Sequence, residues 1–211
     1  MKKKLSVHIS YILSVFLMTT GMIACGKEVS GKEIDTLAEA KTDLYESAEE
    51  LEEDATVVVK VTKTREEENI VKNMGEPDTN YGYTESMVQV EEIRKNISGQ
   101  DVEVGDKIKV LENQFYYIDA DGTKVNCHVN QYKKMEPEQE YILYLRYSEQ
   151  DSWFYILSGL FGKVPVSENE ELIFPASKAT FFQGQSYEED ADEYEKNIME
   201  NIREETLKEW D

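Results

Sequence analysis

The chain has 211 residues, with 23 Lys and Arg against 44 Asp and Glu, a net charge of −21, and 40% hydrophobic residues including 13 Tyr. That length suits one domain with appendages, the apolar content is enough for a packed core, and 4 Pro with 11 Gly excludes collagen-like or linker material. The acidic excess argues against nucleic-acid binding, which needs clustered Lys and Arg to neutralise phosphate.

Residues 1–24 differ from everything that follows. Lys2, Lys3 and Lys4 make a positive start, and positions 5–23 carry no Asp, Glu, Lys or Arg. The stretch ends in Met22-Ile23-Ala24-Cys25-Gly26. A basic start, an apolar middle and a small-residue stop form a secretory signal peptide. A stretch this long could also remain as an uncleaved anchor. Met22-Ile23-Ala24-Cys25 resembles the lipobox of bacterial lipoproteins, which implies removal of 1–24 and a lipid on Cys25 as the new N-terminus. Two acyl chains hold a protein stably at a membrane where one would not. Both readings place the body outside the cytoplasm, at the cell membrane. After cleavage at Cys25, 187 residues remain, 20 basic against 44 acidic, with a net charge of −24.

Residues 25–33 read as a polar tether. Ile34, Leu37, Ala38, Leu44, Tyr45, Ala48 and Leu51 then fall at helical spacing, which predicts an amphipathic helix over 34–53. From Asp54 the pattern changes. Thr56-Val57-Val58-Val59-Lys60-Val61 is β-branched and reads as a strand. Residues 66–82 are polar, contain Pro77-Asp78, and read as a long loop that could fold partly as helix; 84–97 reads as a long strand, bent or bulged. Gly105-Asp106 marks a turn before the alternating Lys107-Ile108-Lys109-Val110. Residues 115–118 and 123–129 flank Asp119-Ala120-Asp121-Gly122, a hairpin tip. Residues 141–147 are the strongest strand, and 153–157, 163–166 and 171–174 supply three short ones. Repeated short strands with no helix between them predict a single antiparallel sheet curled into a small barrel. Tyr187, Ala191, Tyr194, Ile198, Ile202 and Trp210 recur at helical spacing, so 179–211 reads as an acidic C-terminal helical segment with Trp210 docked on the body.

The order of these strands is itself familiar. Asp54-Ala55-Thr56-Val57-Val58-Val59-Lys60-Val61 resembles the opening "SADLVVVGKV" strand of a secreted β-barrel domain found in uncharacterised lipoproteins of Gram-positive bacteria. Val88-Gln89-Val90-Glu91-Glu92-Ile93-Arg94-Lys95 looks like its second strand, and Val104-Gly105-Asp106-Lys107-Ile108-Lys109-Val110 is similar to its "VGDxIxV" strand. Residues 135–145 match its "LxxGxEYLLFL" element, with Glu138-Gln139 where the family usually has Gly; residues 159–166 resemble the Gly-bearing strand after it. The domain is distantly similar to the netrin-type module of the tissue inhibitors of metalloproteinases. The resemblance covers about residues 54 to 175 and implies an oligonucleotide/oligosaccharide-binding (OB)-like barrel over 54–178. It does not imply the inhibitors' mechanism. That mechanism needs a free N-terminal cysteine at the barrel edge, whereas Cys25 is the expected lipid site.

With Cys25 acylated, Cys127 is the only remaining thiol, so no intramolecular disulfide is expected. Cys127-His128 is a poor nucleophile–base dyad, because neighbours on a strand point to opposite faces; Cys127 is expected buried and His128 solvent-facing. His128 is the only histidine after residue 24, which excludes a multi-histidine zinc site. Read as a calcium loop, Asp119-Ala120-Asp121-Gly122 puts Tyr117 and His128 where Asp and Glu are needed, so a turn is favoured. The acidic runs 49–54, 66–68 and 188–195 read as a solvated face. The aromatics 115–117, 132, 141, 144, 147 and 153–155 fill the core, and those turned outward could stack on sugars or peptides. No phosphate loop, nucleophile elbow or catalytic triad is visible, and no cofactor is expected. The expected role is a non-enzymatic binding or scaffolding module at the cell envelope, with a protein or cell-wall partner. The alternatives are a protease inhibitor using the 66–82 loop and an envelope enzyme with an unrecognised carboxylate site.

Overall fold

A computed structural model describes residues 31–73, 80–180 and 189–210 of the chain. The signal peptide, Cys25 and most of the tether lie outside these residues, as do Pro77-Asp78. The fold is mainly β, with two helices and two mixed sheets.

The larger sheet is built on β2 (Val57–Asn73), β3 (Asn80–Asn96), β4 (Lys107–Glu112), β7 (Glu140–Ser148), β8 (Trp153–Ile156) and β9 (Lys163–Pro165). Its order is β2-β3-β4-β8-β7-β9, and β2 also pairs with β7 over Val57 to Thr62. The expectation of a single antiparallel sheet does not hold: the strands form two sheets, and within the larger one β4 and β8 run parallel. The reason is parity. The pairings β2–β3–β4–β8–β7 return to β2, and a cycle of five strands cannot alternate direction at every step.

The run Val57-Val58-Val59-Lys60-Val61 does not alternate apolar with polar because β2 is covered on both faces. Val57, Val59 and Val61 enter one core with Val88, Val90, Val110, Tyr132, Tyr141, Leu143 and Leu145. Val58 enters a second core with Ile142, Tyr144, Leu157, Leu160 and Phe161. Two helices close that second core. Helix α1 (Ala48–Asp54) is capped by Ser47, whose hydroxyl accepts from the Glu50 amide at 3.2 Å, and buries Ala48 and Leu51. Helix α2 (Glu189–Trp210) contributes Ile198, Met199 and Ile202, and Trp210 packs on the body as expected. Arg94 ties the helices to β3 through Glu52 at 3.2 Å and Glu209 at 2.7 Å.

The smaller sheet has the order β1-β6-β5, from β1 (Glu33–Ala38), β5 (Gln114–Ile118) and β6 (Lys124–Val129). β5 and β6 form the expected hairpin. Its tip is held by the Asp119 carboxylate, which accepts from the amides of Asp121 and Thr123 at 3.0 and 3.1 Å, while Gly122 takes φ +87°.

Three expected elements are corrected. Residues 33–38 form a strand, and the helix begins only at Ala48, so it covers 48–53 of the predicted 34–53. Ile34, Leu37 and Ala38 mimic helical spacing, but parallel pairing with β6 over six residues satisfies the backbone instead. Within the predicted loop 66–82, residues up to 73 extend β2 and those from 80 begin β3, paired from Glu67↔Ser86 to Asn73↔Asn80 after a register shift at Lys63/Glu67. The predicted strand 171–174 makes only a single bridge, Tyr132↔Ile173.

Candidate functional site

Two surfaces bring chemistry-bearing side chains together. The first is an aromatic ledge on the β2–β3 arm. Lys72 lies opposite Tyr81 and Ile70 opposite Tyr83, and the two tyrosines, two residues apart, share a face. Tyr81 and Tyr83 meet edge-on with centroids 6.1 Å apart, and Tyr83 meets Trp153 of β8 at 5.1 Å. The Lys72 ammonium lies 5.6 Å from the Tyr83 centroid and 6.0 Å from that of Tyr81. Tyr83 is buried by its neighbours, which raises its hydroxyl pKa, whereas Tyr81 stays 53% exposed. Between them Gly82 is required: a Cβ there would sit 2.5 Å from the Phe115 ring and 2.6 Å from the Ile70 carbonyl. Its absence lets the smaller sheet close against the arm. The junction is completed by Asn69, whose side-chain amide exchanges bonds of 2.8 and 2.9 Å with the Tyr116 backbone, as a neighbouring strand would.

The second surface is a cleft of about 580 Å³ where the two sheets meet. β1 and β6 supply Asp35 and His128, β2 supplies Arg65 and Glu67, and the segment after Tyr132 supplies Lys133, Lys134 and Glu136. Phe174 forms the apolar wall, its ring stacked on His128 at 3.7 Å. His128 is therefore buried, not solvent-facing as the sequence suggested. Its Nδ1 donates to the Tyr132 carbonyl at 3.0 Å, and its Nε2 lies 3.0 Å from the Asp35 carboxylate. Cys127 packs instead with Phe115 and Val125, and burial pushes its thiol up to about 11, so the adjacent pair forms no dyad. Cys127 is a free thiol.

Most charges of the cleft are already spent on one another. Glu67 holds Lys134 and, at 3.2 Å, Lys63; burial raises its carboxyl pKa, but the two ammoniums outweigh that and hold it below the usual value. Arg65 pairs with Glu138 at 2.9 Å, and Lys178 with Glu171 at 3.4 Å.

Beneath the cleft floor is a fully buried polar cluster. Glu112 accepts from the Met135 amide at 2.7 Å, the Tyr132 hydroxyl at 2.9 Å and the Ser86 hydroxyl. Burial raises its pKa despite these donors. Lys163 donates to the Lys133 carbonyl, with its ammonium 4.6 Å from the Tyr132 ring centroid; burial lowers its pKa to about 8 although Glu112 and Glu170 favour its charge. Both groups are thus driven towards their neutral forms.

Of the aromatics singled out in the sequence, Tyr132, Tyr141 and Tyr144 are wholly core, while Tyr116 is 43% exposed with Lys124 over its ring. Tyr81 falls in the expected loop 66–82 and Tyr83 between that loop and the expected strand 84–97, so the sequence reading includes neither. The alternation Tyr81-Gly82-Tyr83-Thr84 was the available signal. Cys25, the expected lipid site, lies outside the described residues. Comparison of the chain with family models, curated proteins and solved structures finds no match to any of them.

Proposed function

We propose that the protein is a lipid-anchored, non-enzymatic binding module on the outer side of the cell membrane, with an OB-like barrel whose ledge takes a saccharide chain. The pairing order β2-β3-β4-β8-β7-β2 supports the barrel, since an OB fold is a five-stranded Greek-key barrel of this kind. Its ligands are oligonucleotides or oligosaccharides, and a net charge of −21 disfavours the former. The observation that carries the ligand class is the ledge itself, with Tyr81 exposed, backed by Tyr83 and Trp153 and edged by Lys72. Such a platform offers ring faces to the C–H face of a sugar. The non-enzymatic reading is supported by where three reactive groups sit: His128 at the cleft is engaged at both nitrogens, the Cys127 thiol is buried and its pKa raised, and Glu112 is wholly buried.

The anchor rests on Met22-Ile23-Ala24-Cys25. Seven residues, 26–32, separate Cys25 from β1, a reach of about 28 Å at full extension. Cys25→Ala should release the protein from the membrane fraction with loss of the lipid mass; an unchanged distribution and mass would refute the anchor. For the ledge, chitotetraose is titrated into the detergent-solubilised full-length protein while the Trp fluorescence is followed. Saturable binding, weakened about tenfold by Tyr81→Ala at unchanged melting temperature, is expected. Binding that Tyr81→Ala leaves intact, or no binding of chitotetraose, overturns the ledge reading.

A further inference from the structure

The cleft between the two sheets shares no residue with the ledge and has its own chemistry. Nine ionisable side chains line it, and seven are paired within the protein as described above. The remaining two are Lys133 and Glu136. Among the described residues the Lys133 ammonium and the Glu136 carboxylate have no hydrogen-bond or ion-pair partner, although the backbone of each is engaged: the Lys133 carbonyl by Lys163, and the Glu136 amide by the Tyr141 hydroxyl at 2.8 Å. The segment carrying them is therefore fixed from below while its two free charges are presented to the cleft. Three residues apart on one short segment, they leave the lining with one cation and one anion outside any hydrogen bond or ion pair, both within reach of the field of the buried Lys163, and the apolar wall of Phe174.

We infer that this cleft is a binding site for a small zwitterion of the free amino-acid class, its carboxylate on Lys133, its ammonium on Glu136 and an apolar side chain against Phe174. The volume of about 580 Å³ lies in the range of small-molecule sites and holds an amino acid with room for water. A purely anionic ligand would leave Glu136 facing like charge, and a purely cationic one would do the same to Lys133. The already paired groups rim the site without competing, because each would have to break an existing ion pair to reach the ligand.

The test uses three probes of one shape: phenylalanine (zwitterion), 2-phenylethylamine (cation) and 3-phenylpropionate (anion). Each is titrated calorimetrically into the detergent-solubilised full-length protein. Phenylalanine should bind saturably, with each single-charge probe weaker by about tenfold or more, the scale of one lost charge-assisted hydrogen bond. Lys133→Met and Glu136→Gln should each weaken phenylalanine by about the same factor. Lys133→Met should strengthen the amine, and Glu136→Gln should strengthen the acid, because each removes the like charge that the probe faces. Neither side chain holds another part of the fold, so both variants should melt with the native protein. No heat with phenylalanine up to about ten millimolar, or single-charge probes binding as tightly as the zwitterion, overturns the assignment. Since neither variant touches Tyr81 or Trp153, saccharide binding at the ledge stands or falls separately.

Discussion

The two cores of this molecule are built on the two faces of the same strands, yet they differ in kind. The one beneath α1 and α2 is filled by Tyr45, Leu51, Val58, Ile142, Leu160, Phe161 and Ile202, with the Tyr144 hydroxyl bonded to Thr206 at its edge. The one on the other face is equally apolar for most of its length, but its end towards the cleft encloses Glu112, Lys63 and Lys163, each no more than 1% exposed. Apolar packing needs no further account, since burial drives it. Buried ionisable groups cost desolvation free energy that an apolar replacement of equal shape would avoid. Their presence on one face only shows that the two ends of the fold are under different demands. The helical side holds the molecule together, and the cleft side holds a polar framework in place under a surface.

The largest expected effect lies on the helical side. Leu51 is wholly buried on the short helix α1, which has only two turns and depends on this contact. Leu51→Ala should cost about 2–5 kcal/mol in chemical denaturation, as large-to-small core changes do. A loss below about 1 kcal/mol would mean that α1 is an appendage and not part of the second core.

Next in size is Glu112→Leu. It removes the acceptor from the Met135 amide and from the Tyr132 and Ser86 hydroxyls while keeping an apolar side chain. Orphaned buried donors should cost about 1–3 kcal/mol, whereas Glu112→Gln, which keeps one carbonyl acceptor, should cost less. If the leucine variant is as stable as the native protein, the polar cluster is not a framework and the contrast between the cores collapses.

These same elements show what the sequence could disclose. β4, the β5–β6 hairpin, β7 and α2 carry their own local signals: strict alternation, an Asp-Gly tip, an unbroken apolar run and a helical stripe ending in Trp210. β1 does not, because Ile34-Asp35-Thr36-Leu37-Ala38 suits either periodicity and only pairing with β6 decides it. The β2–β3 arm was hidden for a related reason. Glu66-Glu67-Glu68 looks like a solvated loop until Lys63, Lys107 and Lys134 are placed around it. Of the two candidate surfaces, the ledge shows in the sequence only through Trp153, one member of the aromatic set, and it needs Tyr81 and Tyr83 as well. The cleft is assembled from five separate segments with no sequence proximity, so nothing local announces it.

The change with pH is the most discriminating, because it reads the charge state of the buried cluster directly. Lys163 has a pKa of about 8, lowered from 10.5 by burial. Below pH 8 the folded protein must keep a buried charge, and between pH 8 and 10.5 the unfolded chain binds the proton more tightly than the folded one. Lys163 therefore makes stability rise with pH across that window, with its unfavourable contribution fully present below it. Cys127, raised to about 11 from 9.0, acts in the opposite sense from about pH 9 upward, as does Tyr144, raised to about 12, above pH 10. The informative quantity is accordingly the difference between the native protein and Lys163→Met, from which the cysteine and tyrosine contributions cancel. Measured by urea denaturation from pH 7 to 10, that difference should shift in favour of the native protein as pH rises through 8. A flat difference would mean that Lys163 titrates alike in both states, and that the cleft floor is wet enough to solvate it.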